Sequence, residues 1–120
     1  MRWHRRALVV LALLVVAGCG PGRSAAPPGP SLEVFTAINE AFGPYDATGR
    51  ALQVAKCESG WVPTAGAGEF YQGLFQLGPH IVAIHQYGGD FLDPVQNAAA
   101  ARDLWLSRGK SWSAWPVCGR

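Results

Sequence analysis

Glu58 is the residue of this chain best placed for acid–base chemistry. It follows the apolar stretch Ala51 to Ala55 and precedes Ser59-Gly60-Trp61, so it falls at a helix end among apolar and aromatic groups. Such surroundings desolvate a carboxylate and raise its pKa. A carboxyl that keeps its proton near neutral pH can donate it to a glycosidic oxygen. Glu69 lies eleven residues further on, in a Gly-rich loop. A two-carboxylate mechanism would need it to face Glu58 across a sugar; a solvated loop residue is the favoured reading. The rings of Trp61, Tyr71, Phe75, Trp112 and Trp115 have two uses. They can line a groove, or they can fill a core, because aromatic side chains bury large areas. We place Tyr71 and Trp61 near a groove and Trp115 mostly in the core. His80 and His85 stand five apart with no matching Cys or acidic partner. That is poor metal-ligand spacing, and no metal or cofactor is implied.

These residues need elements to hold them. Ser31 is a good N-cap, and Leu32, Phe35, Ile38 and Phe42 follow at helical spacing. Gly43-Pro44 stops that helix. A second helix is expected from Asp46 to Ser59, with Ala51, Leu52, Val54 and Ala55 on its apolar face and Gly60 as its stop. Trp61 to Gly73 reads as loop, with a short hairpin around Phe70 to Leu77. Pro79 opens a short helix to about Tyr87. Asp93-Pro94 is an N-cap followed by proline at the first helical position. Its helix carries Val95, Ala98, Ala99 and Leu106 on the buried side. Trp112 and Trp115 then pack the tail, which ends near Cys118. The expected domain is mainly α, with at most a minor β-hairpin.

The N-terminus is of another kind. Arg2, Arg5 and Arg6 precede an unbroken apolar run from Ala7 to Ala17. A charged start and an apolar core of this length read as an export signal, short for a membrane span of about 20 residues. Val16-Ala17-Gly18-Cys19 resembles a bacterial lipobox, which implies cleavage before Cys19 and lipid on its sulfur. The alternative is an ordinary secretory signal with an incidental Cys. Residues 19–30, rich in Pro and Gly, read as a flexible linker holding a domain of residues 31–120 off the membrane. Loss of the leader's three arginines leaves seven basic against eight acidic residues, a net charge of −1. There is no basic field for nucleic acid. With Cys19 used by lipid, Cys57 and Cys118 remain. In an oxidising compartment such a pair becomes a disulfide; two free buried thiols are the alternative.

Three ordered segments resemble one known family. Cys57-Glu58-Ser59-Gly60-Trp61-Val62-Pro63-Thr64-Ala65 is similar to the first motif of the soluble lytic transglycosylases, a Glu-Ser pair before a Pro-x-Ala turn. Gly73-Leu74-Phe75-Gln76-Leu77, followed by Gly78-Pro79, resembles their Gly-Leu-Met-Gln segment and its turn. Asp93-Pro94-Val95-Gln96-Asn97 resembles their Asp-Pro-x-x-Asn helix start. The match covers Ala51 to about Leu106. The tail, Trp112-Ser113-Ala114-Trp115-Pro116-Val117-Cys118, and the Cys-Glu-Ser-Gly start resemble actinobacterial resuscitation-promoting factors, which supports pairing Cys57 with Cys118. There are departures. The late Tyr-Asn motif of the larger transglycosylases is missing, Phe75 replaces Met, and Trp61 stands where resuscitation factors have a second Gly.

The resemblance implies a small lysozyme-like domain acting on peptidoglycan as a monomer at the outer face of the cell membrane. Glu58 would protonate the oxygen between N-acetylmuramic acid and N-acetylglucosamine. It would then act as base on the sugar's 6-hydroxyl, giving a 1,6-anhydro end with no water consumed. The N-acetyl group would assist in place of a second carboxylate. Gln76 would bind the glycan or order the site. Ser59 would do likewise or bond backbone, and Asn97 would bind sugar or fix the helix start. Two alternatives are a lysozyme-type hydrolase on the same bond and a glycan-binding lipoprotein without activity.

Overall fold

The computed structural model describes residues 29–120. The expected leader, Cys19 and most of the linker lie outside the described residues. Among the described residues three α-helices carry the fold: α1 (Leu32–Phe42), α2 (Thr48–Ser59) and α3 (Pro94–Ser107). Two 3-10 segments, Gly43–Tyr45 and Val82–Tyr87, join them. The domain is mainly helical, and its β content is one antiparallel bridge between Gln72 and Leu77 where a hairpin was expected.

Ser31 caps α1 as expected, its Oγ accepting from the Val34 amide at 3.1 Å. The buried face differs from the one expected. Val34, Ala37, Ile38, Ala41 and Phe42 point inward, one stripe at i, i+3, i+4, i+7 and i+8. Leu32 and Phe35 are exposed. The alanines at 37 and 41 decide the face, because small side chains let α1 lie close against α3. The α-helix stops at Gly43-Pro44 as expected, and the chain tightens there into the 3-10 turn.

α2 begins two residues later than expected. Asp46 takes a left-handed φ of 54° at the end of that turn, and its amide donates to the Gly43 carbonyl at 2.9 Å. It is thereby used in reversing the chain. Thr48 ties the new helix to α1 through Asn39, at 2.9 Å.

α3 is the central helix. Asp93 caps it, accepting from the Gln96 amide at 2.9 Å, with Pro94 at its first position. Ala98 to Ala101 are all buried, so this helix is covered on nearly every side. Val95, expected inside, is exposed because it lies in the first turn, before the helix enters the core. The segment after Pro79 forms a 3-10 helix starting only at Val82 and ending at Gly88, whose φ is 124°. An aromatic cluster closes the core. The Phe42 ring lies 5.6 Å from Phe75, 5.5 Å from Trp105 and 5.5 Å from Trp112. Trp115 joins it 5.9 Å from Phe75.

Candidate active site

Glu58 is the next-to-last residue of α2. Gly60 ends the helix in the left-handed region, φ 63°, its amide donating to the Lys56 carbonyl at 2.8 Å. Trp61 follows with φ 63° as well, a conformation that bulky residues rarely adopt. Two successive left-handed residues turn the chain back along α2. The Trp61 indole then donates to the Leu52 carbonyl at 2.9 Å and packs on the core. The position where the resembled factors carry glycine is thus one whose backbone favours it.

A cleft of about 360 Å³ opens beside Glu58, a volume suited to a small ligand or a few sugar units. Three segments wall it. α2 supplies Glu58, the segment around the Gln72–Leu77 bridge supplies Tyr71 and Gln76, and the tail supplies Ala114 to Cys118. The tail is fastened on several sides. Cys118 is disulfide-bonded to Cys57, the Trp115 indole donates to the Phe75 carbonyl at 2.8 Å, and the Arg50 guanidinium of α2 donates to the Arg120 carbonyl at 2.5 Å.

Burial pushes the Glu58 carboxyl above its ordinary value of 4.5. Among the described residues no cation pairs with it and no donor bonds it. It also sits at the C-terminal, electronegative end of its own helix, where a negative charge is disfavoured. Both effects favour the protonated form. Glu58 is the one carboxylate in the cleft lining. Glu69 is exposed and does not line it.

The residues expected to bind substrate divide. Tyr71 and Gln76 share the cleft with Glu58. Tyr71 is exposed. The Gln76 amide group donates to the carbonyls of Ala65 and Gly73, each at 3.1 Å. Both N–H groups are thereby occupied, which leaves the amide oxygen as the atom that can accept from a ligand. Gly66 lies beneath this arrangement: a Cβ there would meet the Tyr71 carbonyl at 2.2 Å.

Ser59, Trp61 and Asn97 are placed otherwise. The Ser59 hydroxyl bonds the Ala55 carbonyl at 2.9 Å, within its own helix. Trp61 does not line the cleft, its indole N–H being held by Leu52. Asn97 is fully buried. It accepts from the Phe75 amide at 2.9 Å and donates to the carbonyls of Gln72, at 3.1 Å, and Phe91, at 2.9 Å. It is a positioning residue, fixing the Gln72–Phe75 turn to the start of α3. The Phe75 amide and the Phe91 carbonyl have no backbone partner, and a buried amide side chain satisfies both while adding a second donor to the Gln72 carbonyl, which already accepts from the Leu77 amide.

The sequence reading missed Ala114, Pro116 and Val117 as the opposite wall. One signal could have found them. A Cys57–Cys118 bond places Val117 next to Glu58 whatever the intervening fold. Compared with protein-family models, with curated proteins and with solved structures, the chain matches none.

Proposed function

We propose that this protein is a lytic transglycosylase that cuts the β-1,4 bond between N-acetylmuramic acid and N-acetylglucosamine in peptidoglycan, on a lysozyme-like fold. The observation that carries the reading is a single desolvated carboxyl, Glu58, in a cleft whose described lining holds no second carboxylate. Glu58 donates its proton to the leaving oxygen. The carboxylate so formed takes the proton of the 6-hydroxyl as that oxygen bonds the anomeric carbon. One C–O bond breaks, one forms, and the acid is restored. With no partner acid in the lining to serve as nucleophile, assistance falls to the substrate's own N-acetyl group. Gln76 accepts a hydrogen bond from the glycan, and Tyr71 offers a ring face to a sugar.

The test is mass spectrometry of soluble products from purified peptidoglycan. Products with 1,6-anhydro ends, absent with Glu58→Gln, support the reading. Reducing-end products would make the protein a lysozyme-type hydrolase, and no release would favour a glycan-binding lipoprotein. The proposal includes export and tethering through a lipid on Cys19. Failure of a labelled fatty acid to enter the protein, or its equal entry into Cys19→Ser, would remove that part.

A further inference from the structure

A second hollow continues the cleft beyond Tyr71 and Gln76. Of about 50 Å³, it shares Tyr71, Gln76, Ala114 and Trp115 with the Glu58 compartment, so the two adjoin. At its far side stands His80. The imidazole is held in place from two directions. It stacks on Phe70, centroids 6.2 Å apart and planes 25° apart. It also covers Gly78, where a Cβ would come within 2.8 Å of its Nδ1. Neither ring nitrogen bonds a described residue, although the side chain is fixed and exposed. His80 is the one basic side chain in the lining of either compartment. The cleft therefore carries an acid at one end and an imidazole donor at the other.

We propose that His80 is a specificity-determining residue that binds a carboxylate-bearing branch of the ligand, favouring peptide-bearing wall glycan over a neutral N-acetylglucosamine chain. The inference rests on the glycan reading of the Glu58 site. A chain of N-acetylglucosamine gives the imidazole only hydroxyls and acetamide carbonyls, whereas wall glycan carries carboxylates, on its lactyl groups or at the ends of its stem peptides. A preset imidazole N–H gives such a group a charge-assisted hydrogen bond at little ordering cost. The structural alternative is that His80 only covers Gly78 and Phe70, in which case its loss affects all ligands alike or none.

The experiment measures binding to the full chain carrying Glu58→Gln, which prevents turnover. The probes are a tetrasaccharide of N-acetylglucosamine and a wall tetrasaccharide bearing stem peptides. His80→Ala is expected to weaken the peptide-bearing ligand about fivefold, the size of a rim ionic contact, and leave the neutral ligand unchanged. Unchanged binding of the neutral ligand also shows that the variant is folded. His80→Lys should keep most of the preference, because an N–H donor to the carboxylate remains. Equal loss for both ligands, or loss for neither, overturns the proposal. If the parent Glu58→Gln chain binds neither ligand, the glycan reading itself fails and takes this inference with it.

Discussion

Cys118 lines the cleft that Glu58 faces, and it is bonded to Cys57, the residue before Glu58. One covalent link therefore joins the acid's helix to the opposite wall. It closes a separation of 61 residues, which in the chain-entropy model contributes about 4 kcal/mol to a domain with a limited core. Reduction, or Cys57→Ser with Cys118→Ser, should lower the melting temperature by at least about 15 °C and depress cleavage at temperatures where the reduced protein is still folded. A thermal melt with and without reductant checks the first. A melt that does not move would mean that the aromatic packing of Trp112 and Trp115 alone holds the tail.

Glu58 makes opposite demands on stability and on chemistry. Its folded-state pKa is raised by burial, so the folded protein binds the proton more tightly than the unfolded chain. Stability then falls as pH rises from the unfolded value through the folded one, and stays lower above it. Glu58→Gln removes this loss, so the variant should melt higher than the parent near neutral pH and equal to it in acid. Cleavage should drop at least about a hundredfold, the usual share of a general acid. In the parent, kcat/KM should fall as pH rises through the raised value, an alkaline limb above the range of a solvated glutamate. A Glu58→Gln chain that cleaves like the parent would end the assignment of the acid.

How much of this was legible in sequence depends on the kind of signal. Ser31, Asp93-Pro94 and Gly60 mark their helix ends as expected, because caps act through local hydrogen bonds and backbone preferences. The buried face of α1 was misplaced because Leu32 and Phe35 outweigh Ala37 and Ala41 in hydrophobicity, whereas close helix contact selects the small residues. Glu58, Tyr71 and Gln76 were found and do share a cleft. Trp61 was placed near the groove and Asn97 either on the sugar or at the helix start, but both are occupied by backbone groups outside their own turns, at Leu52 for Trp61 and at Phe91, Gln72 and Phe75 for Asn97. A motif shows that a polar residue is needed; it does not show whether the need is a ligand or an unpaired carbonyl.

The role of Asn97 can be tested directly. Asn97→Ala leaves the Phe75 amide and the Phe91 carbonyl without a partner and the Gln72 carbonyl with the Leu77 amide alone. Buried groups stripped in this way cost about 1–3 kcal/mol each when no water enters, so a loss of about 3 kcal/mol is expected in denaturant unfolding. Activity should fall with it, since the turn it holds leads into Gln76. A variant of unchanged stability with weakened glycan binding would return Asn97 to the binding surface.

Tyr71 and Trp61 give the sharpest contrast between a residue that meets ligand and one that meets protein. Tyr71 is 53% exposed, and its neighbour is the Phe70 ring at 4.8 Å. Tyr71→Ala should leave stability within about 0.5 kcal/mol, as surface changes do, while raising KM. Trp61→Phe keeps a ring against the core but deletes the donor to Leu52. It should cost about 1 kcal/mol, the net worth of one hydrogen bond, because the Leu52 carbonyl keeps its partner within α2, with KM little changed. The two variants thus move different quantities. A Trp61→Phe chain of parental stability and raised KM would show that this indole reaches the glycan after all, and that the Leu52 bond gives way when substrate arrives.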